Sequence, residues 1–385
     1  MKSVLDFCVP CLFGLEGLCA DELKRLGYDN VKTENGRVMF AGTAGDIARA
    51  NINLRTGERL LIVVGKTNAR TFDELFEGVR KMAWEDYVPM GGAFPVKGHS
   101  LDSKLYSIPD CQRIIKKAVA MRLKSAFGIA GDILNESGAA YQIKFAIMDD
   151  IATLYLDTSG TGLHKRGYRP AHGAAPLRET LAAAMVKLSR YRGKEEIYDP
   201  FCGSGTIPIE AALCALNRAP GLDRCFDAMQ WKWADKKIWD LAKIEARDLE
   251  YRGAYSIWGG DIDPKCIEIS QENAKRAGVA EHIRFETADA GAFWHKAEDK
   301  NAGVIIITNP PYGERVMEKS RAQELYRVLG ERLGNQPEAG TGVPGKMKMY
   351  ILSSHTEFER AFGKKATKKR KLYNGMIKCD LFMYF

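Results

Sequence analysis

Four consecutive residues, Asn309-Pro310-Pro311-Tyr312, have the composition needed to hold a flat base by its exocyclic amine. An Asn side-chain oxygen accepts one N–H of such an amine, and the neighbouring backbone carbonyl accepts the other. Two prolines stiffen the segment, because each fixes its own φ and pushes the residue before it toward extended backbone. Tyr312 adds an aromatic face on which a base can stack. The same residues would also make a plain rigid turn after a strand, so their surroundings decide between the two.

Those surroundings begin with Val304-Ile305-Ile306-Ile307-Thr308, a short, apolar, β-branched run that predicts a buried parallel strand. The tetrapeptide then lies at a strand's carboxyl end, where open α/β sheets keep their ligands. Upstream, Ile197-Tyr198-Asp199-Pro200-Phe201-Cys202-Gly203-Ser204-Gly205-Thr206 passes from a strand through a glycine turn into a helix carrying Ile209 and Leu213. Glycines let backbone approach a ligand closely. The turn lacks the lysine of a P-loop, has Pro208 where a dinucleotide turn needs its third glycine, and lacks the G-x-S-x-G spacing of a nucleophile elbow. Two acids follow at strand ends. Asp261, after a strand over 255–260, can bind both hydroxyls of a ribose, and Asp289, after a strand over 283–287, can accept from an adenine amine. As plain structure, each acid would be a helix N-cap.

A chain of 385 residues implies two or three domains, and 45% hydrophobic with 28% charged residues is the balance of a soluble globular protein. The net charge of +8 permits a polyanionic partner without requiring one. Nine cysteines, an odd number, point to a reducing cytoplasm rather than a disulfide framework. Cys8-Val9-Pro10-Cys11 has no second pair to complete a zinc site, and the six histidines show no ligand spacing, so no metal is expected. Asp6 and Glu16 interrupt the apolar N-terminus, so a signal peptide is not expected, and no run approaches the ~20 apolar residues of a membrane helix.

The elements that must position these residues follow from periodicity. Residues 1–56 predict a small α+β unit: a strand over 4–9, a helix from Leu15 to Leu26 closed by Gly27, and a returning strand over 38–40. Residues 57–160 predict strands over 59–65 and 93–96, helices over 72–84 and 109–127, and a hairpin of 141–147 with 151–156. Along the 109–127 helix, Arg113, Lys116 and Lys117 lie largely off the apolar stripe, as a solvated face or a phosphate-tracking surface. Residues 161–175 read as a linker, and Pro176 opens the next helix. Residues 217–253 form an insertion in which Trp231, Trp233 and Trp239 mix with lysines; packing on the domain is the simpler reading, nucleic-acid contact the other. After a helix over 321–333 and a strand over 348–352, Asn374-Gly375 predicts a type I′ hairpin turn. Lys364, Lys365, Lys368, Lys369, Arg370 and Lys371 lead into it, as a solvated face or as RNA phosphate contacts.

Two resemblances organise these elements. Phe94-Pro95-Val96-Lys97, Ser107-Ile108-Pro109-Asp110-Cys111-Gln112-Arg113 and Leu156-Asp157-Thr158-Ser159-Gly160 resemble a THUMP domain, an RNA-binding module of RNA-modifying enzymes. Gly162-Leu163-His164-Lys165-Arg166-Gly167-Tyr168-Arg169 closes it in the pattern of the bacterial THUMP methyltransferases. Asp199-Pro200-Phe201-Cys202-Gly203-Ser204-Gly205-Thr206, with Asn309-Pro310-Pro311-Tyr312, resembles the motifs of class I S-adenosylmethionine-dependent methyltransferases. Nearly the whole chain is similar to the N-terminal half of the bacterial large-subunit rRNA guanine-N2 methyltransferase.

The resemblance implies an α/β Rossmann-like methyltransferase domain over 176–385, with a mostly parallel sheet and a terminal antiparallel hairpin. An N-terminal ferredoxin-like α+β unit (1–56), a THUMP RNA-binding domain (57–160) and a linker (161–175) precede it. It assigns S-adenosylmethionine to Asp199, Pro200, Phe201, Gly203, Gly205, Thr206, Asp261, Ile262, Asp289, Ala290 and Asn309, and catalysis to Asn309, Pro310, Pro311 and Tyr312. RNA contacts fall to Arg113, Lys116, Lys117, Lys165, Arg166, Lys368, Lys369 and Arg370. The implied reaction is methylation of the exocyclic amine of a guanosine, in ribosomal RNA ahead of tRNA, by an in-line displacement that rests on positioning rather than on a strong general base. Asn-Pro-Pro-Tyr also resembles the motif of amino-directed adenine DNA methyltransferases, a second reading that the THUMP-like half argues against; a non-catalytic RNA-binding factor that has kept the fold is a third, disfavoured by the intact glycines, acids and Asn309.

Overall fold

The computed structural model describes residues 4–131, 134–169, 177–290, 303–312, 319–334 and 347–385. The expected Pro176 helix start and the Gly/Pro-rich loop before residue 347 lie outside them. The chain forms two compact units: Met1–Cys11, Cys19–Leu163 and Asp223–Glu245 in the first, and Leu12–Leu18, His164–Leu222 and Ala246–Phe385 in the second.

The first unit is built on seven strands, β1 (Leu5–Pro10), β2 (Lys32–Glu34), β3 (Arg37–Gly42), β4 (Leu61–Asn68), β5 (Val96–Leu101), β6 (Ile143–Met148) and β7 (Ile151–Asp157), in the order β2-β3-β1-β4-β7-β6-β5. Helices α1 (Glu16–Arg25), α2 (Gly45–Asn53), α3 (Phe72–Arg80) and α4 (Ile108–Phe127) accompany them. The segments that periodicity separates at residue 56 share this one sheet. Ile62 on β4 pairs with Phe7 on one side and Leu156 on the other. The strand expected over 93–96 is β5, which starts at Val96, since Pro95 has no N–H to give a ladder. The α2 helix was not expected from the sequence.

The Asp157-Thr158-Ser159-Gly160 stretch is buried structure. Thr158 Oγ1 donates to the Leu60 carbonyl over 2.7 Å, Ser159 Oγ to Asn51 Oδ1 over 2.6 Å, and Asn51 Nδ2 to Thr158 Oγ1 over 2.8 Å. Arg59 pairs with the Asp157 carboxylate at 2.5 Å. Residues of the insertion also belong to this unit. Trp231 stacks on Tyr141 with centroids 5.1 Å apart and donates Nε1 to the Ala140 carbonyl over 2.9 Å. Trp233 donates to the Tyr87 carbonyl over 2.7 Å, and Trp239 stacks on Phe226. The tryptophans are packing anchors: Trp231 and Trp233 keep their rings in contact and their N–H groups satisfied, and Trp239 buries its ring.

In the second unit the order of elements is α5 (Glu179–Leu188), β8 (Glu196–Asp199), α6 (Thr206–Ala215), the end of α7 (Lys236–Asp248, of which Lys236–Glu245 belongs to the first unit), β9 (Ile257–Asp261), α8 (Pro264–Arg276), β10 (Ile283–Thr287), β11 (Val304–Thr308), α9 (Lys319–Leu329), β12 (Met347–Ser353), α10 (Phe358–Phe362), β13 (Lys368–Asn374) and β14 (Ile377–Tyr384). The strands form a sheet in the order β10-β9-β8-β11-β12-β14-β13. Its first five strands run parallel, and β14 is antiparallel to both its neighbours. Both faces are covered, which is why β11 reads as a continuous apolar run. Ile305 and Ile307 join one core cluster with Leu181, Ile197 and Leu352; Val304 and Ile306 join another with Tyr326, Ile351 and Phe358. The terminal hairpin turns one residue later than Asn-Gly predicts. Asn374 still pairs with Ile377, so the loop is Gly375-Met376, and it is Gly375 that takes the positive φ of 64°. A type I′ turn needs positive φ at both central residues, which Met376 does not supply.

Candidate active site

Asp199, Asp261 and Thr308 end three parallel strands, β8, β9 and β11, and the strand order changes direction between β8 and β11. Ligands of open α/β sheets bind at such a switch point, outside the carboxyl ends.

On one side is the glycine turn. Gly203 and Gly205 hold φ of 52° and 78°, a region that residues with a Cβ resist. A Cβ on Gly205 would meet Ser270 at 3.1 Å and Phe285 at 3.2 Å, whereas one on Gly203 would point into open space. The turn is fixed from α8: Ser270 Oγ donates to the Gly203 carbonyl over 2.7 Å and Asn273 Nδ2 to the Ser204 carbonyl over 3.0 Å. Asp261 Oδ2 accepts the Gly203 N–H at 3.0 Å, and its Oδ1 accepts the Asp263 N–H at 3.0 Å. Asp263, not Asp261, caps α8 by accepting the Lys265 N–H. Next to Asp261, Ile262 is 72% exposed, an apolar surface at the rim of the strand ends. Asp289 is exposed and Ala290 buried just beyond β10. A tight backbone turn, an acid at the adjacent strand end and an exposed aliphatic beside it fit an adenosine-carrying donor.

On the other side is the tetrapeptide. Tyr312 donates its hydroxyl to Asn309 Oδ1, and the same hydroxyl meets Cys379 Sγ at 3.8 Å and the Asn374 side chain. Burial, with the Cys379 thiol adding to it, lifts the Tyr312 hydroxyl far above the usual phenol range, so it stays a donor. The ring packs against the larger core cluster. Tyr312 therefore orients Asn309, and Asn309 Oδ1 retains a second lone pair. Tyr326 Oη donates to the Pro311 carbonyl over 2.6 Å and lies 3.4 Å from Ser353 Oγ, which fixes the backbone after Pro310.

Thr308 Oγ1 joins the two sides by donating to Asp199 Oδ1 over 2.7 Å; the Phe201 N–H reaches the same oxygen at 3.2 Å. Burial pushes the Asp199 carboxyl up to about 7, and the Asp261 charge pushes it the same way, while the two hydrogen bonds pull it down.

The basic residues divide. Arg166, expected among the RNA contacts, is turned inward: its side chain is 2% exposed and pairs with Glu210 on α6, which also accepts from the Tyr168 hydroxyl. Arg169 pairs with Glu179 at 2.7 Å and donates to Thr206 Oγ1 over 3.1 Å, so this part of the expected linker braces the start of α6. Lys369 is tied to Glu359 at 2.7 Å, Lys116 to Glu136 at 2.9 Å, and Arg113 to Asp110 at 2.8 Å. Lys117, Lys165 and Lys368 are exposed, and Arg370 half-buried. Ser270, Asn273, Tyr326, Ser353 and Thr308 were not singled out by sequence. Each is a lone polar residue whose partner is remote in the chain, and no local pattern marks it. Among the described residues no cluster could hold a metal ion, and no helix is long and apolar enough to cross a membrane.

Comparison with known proteins gives a consistent result. Residues 166–382 match the RMKL-like methyltransferase domain, residues 69–157 the THUMP domain, and residues 6–61 the RlmL ferredoxin-like domain. The chain is 43% identical to a Bacillus subtilis (strain 168) protein named "Putative RNA methyltransferase YpsC", over 97% of this chain and 94% of that one. It is 34% identical to the "Ribosomal RNA large subunit methyltransferase K/L" of Psychromonas ingrahamii, over 99% of this chain and 50% of that one. The chain thus spans about half the length of the K/L relatives it matches. A crystal structure from Listeria monocytogenes, described as "a predicted N6-adenine-specific DNA methylase", superposes with a TM-score of 0.90 at 45% identity, covering 99% of this chain and 96% of that one. That of SMU.472, "a putative methyltransferase complexed with SAH", does so with a TM-score of 0.91 at 38% identity, covering 100% and 99%.

Proposed function

The chain belongs to the RMKL-like methyltransferase family, with RlmL ferredoxin-like and THUMP domains ahead of the methyltransferase domain, and from that premise we propose that it methylates the exocyclic amine of a guanosine in large-subunit ribosomal RNA. The methyl donor is S-adenosylmethionine, which supplies an electrophilic methyl group on its sulfonium. The glycine turn, Asp261, Ile262 and Asp289 are the residues that would hold it, with the buried Asp199 carboxylate as the charge that a cationic group of the donor would pair with. The enzyme is taken to work in the cytoplasm.

The observation that carries the reading is the orientation of Asn309. Its side-chain oxygen stands at the carboxyl end of β11, held by a hydroxyl that remains protonated at working pH. An aromatic amine is a weak nucleophile because its lone pair is delocalised into the ring. Acceptance of its N–H groups by Asn309 Oδ1 and the Pro310 carbonyl turns that lone pair out of conjugation, and a pre-set acceptor costs no reorganisation at the moment of transfer. Pro310 is buried and its neighbour Pro311 is anchored by Tyr326, so the carbonyl has little freedom to turn away.

A THUMP domain in the same chain favours RNA over DNA. The name of the Listeria relative keeps adenine in DNA as the second reading. Mass spectrometry of nucleosides from ribosomal RNA, tRNA and DNA of a strain lacking the protein separates them. Loss of N2-methylguanosine from ribosomal RNA alone supports the proposal. Loss of N6-methyladenine from DNA overturns it.

A further inference from the structure

Phe13 is held at the surface by a segment that is otherwise anchored. Leu15, two residues on, is fully buried in the core of the second unit, and Gly14 lies so close to β13 that a Cβ there would meet the Lys371 carbonyl at 3.1 Å. With φ of 83° at Gly14, the chain turns tightly and leaves the Phe13 ring 58% exposed. That ring meets Tyr373 edge-on, centroids 6.4 Å apart, at the free edge of β13. Lys378, the cross-strand partner of Tyr373, and Lys371 are both exposed beside the pair. The neighbouring position, Leu372, pairs with Cys379, whose Sγ touches the Tyr312 hydroxyl. Successive strand residues face opposite ways, so the aromatic pair lies on the other face of β13 from Leu372 and Cys379; the link to the tetrapeptide is Asn374, the next residue, whose side chain reaches the Tyr312 hydroxyl.

Edge strands carry lysines to block pairing with other chains, and that accounts for the lysines of β13, Lys371 among them. It does not account for a phenylalanine kept in water by a tight turn, which raises the hazard the lysines lower. Aromatic faces interleaved with cations are the composition that binds unpaired nucleic acid, the rings stacking on bases and the cations following phosphates.

We propose that Phe13 and Tyr373, flanked by Lys371 and Lys378, form a stacking platform for unpaired RNA nucleotides beside the target base; the choice of ligand rests on the function proposed above. An exocyclic amine in a duplex is inaccessible to Asn309, so the target must be delivered unpaired, and a platform at the same end of the sheet, one residue from Asn374, would hold the flanking strand in that state.

The test uses the full chain and two fluorescein-labelled RNAs of about twelve nucleotides, one single-stranded and one duplex. The double variant F13A/Y373A should bind the single strand about 10- to 100-fold more weakly and the duplex within about twofold of the parent, with an unchanged thermal melt. F13W with Tyr373 intact should bind the single strand as well as the parent. Unchanged single-strand binding in the double variant, or an equal loss on both RNAs, overturns the platform. Binding is read without methyl transfer, so a chain that methylates no RNA would overturn the proposed function and leave this result standing.

Discussion

The hydroxyl of Thr308 donates to the carboxylate of Asp199 over 2.7 Å, inside the protein, linking the last residue of β11 to the last residue of β8. The residue after Asp199 opens the glycine turn, and the residue after Thr308 is Asn309. One buried hydrogen bond thus ties the start of the glycine turn to the start of the tetrapeptide, the two segments proposed to hold the donor and the base.

Thr308→Val keeps the shape and removes the donor, leaving Asp199 Oδ1 with the Phe201 N–H alone. Calorimetry should show S-adenosylmethionine binding about tenfold more weakly, on the scale of one lost hydrogen bond to a charged group. Thr308→Ser should restore most of it. Equal affinity in the parent and both variants would make the bond irrelevant to the donor site.

Asp199 should make the unliganded protein less stable as pH rises. Its folded value, about 7, lies above that of an ordinary carboxylate, so the protonated form favours the folded state. That contribution is complete below pH ~4 and is lost as pH passes through about 7, at a scale of about 2–4 kcal/mol. Asp199→Asn cannot ionise, so urea unfolding at pH 5 and pH 8 should show a smaller fall for the variant than for the parent. Its donor affinity should drop at the same time, because function requires the charge that stability resists. Identical falls in parent and variant would contradict this.

For Arg166 the expected outcome is structural. Arg166→Ala breaks its buried ion pair with Glu210, and breaking such a pair typically costs about 3–5 kcal/mol. The salt dependence of RNA binding should not change, since no phosphate contact is lost. A flatter salt dependence with normal stability would return Arg166 to the RNA surface.

The strand ends that carry the candidate site were legible in the sequence. The runs ending at Asp199, Asp261 and Asn309 are short, apolar and bounded by Gly, Pro and Asp, so strand, strand end and turn all point the same way. Arg166 was misread because a basic residue in a glycine-rich stretch looks the same whether it faces water or Glu210, and Glu210 lies far along the chain. Thr308, Ser270, Asn273 and Tyr326 escaped for a related reason: their function is a single contact across the fold, and periodicity carries no record of partners. The shared sheet of the first unit was hidden because β4 pairs on both sides with strands distant in sequence, Leu5–Pro10 and Ile151–Asp157. The Asn374-Gly375 signal identified the hairpin correctly but not which two residues close it.

Tyr312→Phe should lower kcat by roughly tenfold with little change in KM, because the ring remains and only the hydroxyl that orients Asn309 is removed. Tyr312→Ala should be more severe, since it also opens the core against which the ring packs. Equal kcat in parent and Phe variant would show that Asn309 needs no orienting partner.

Single-turnover methylation of unmodified large-subunit ribosomal RNA by the parent and Asn309→Ala, followed by digestion and identification of the methylated nucleoside, tests the central claim most directly. The parent should yield N2-methylguanosine. The variant should yield the same nucleoside about 10²–10³-fold more slowly with nearly unchanged RNA affinity, as when one transition-state acceptor is removed. A methyl group on a ribose oxygen or a base carbon, or an Asn309→Ala enzyme as fast as the parent, would contradict the account.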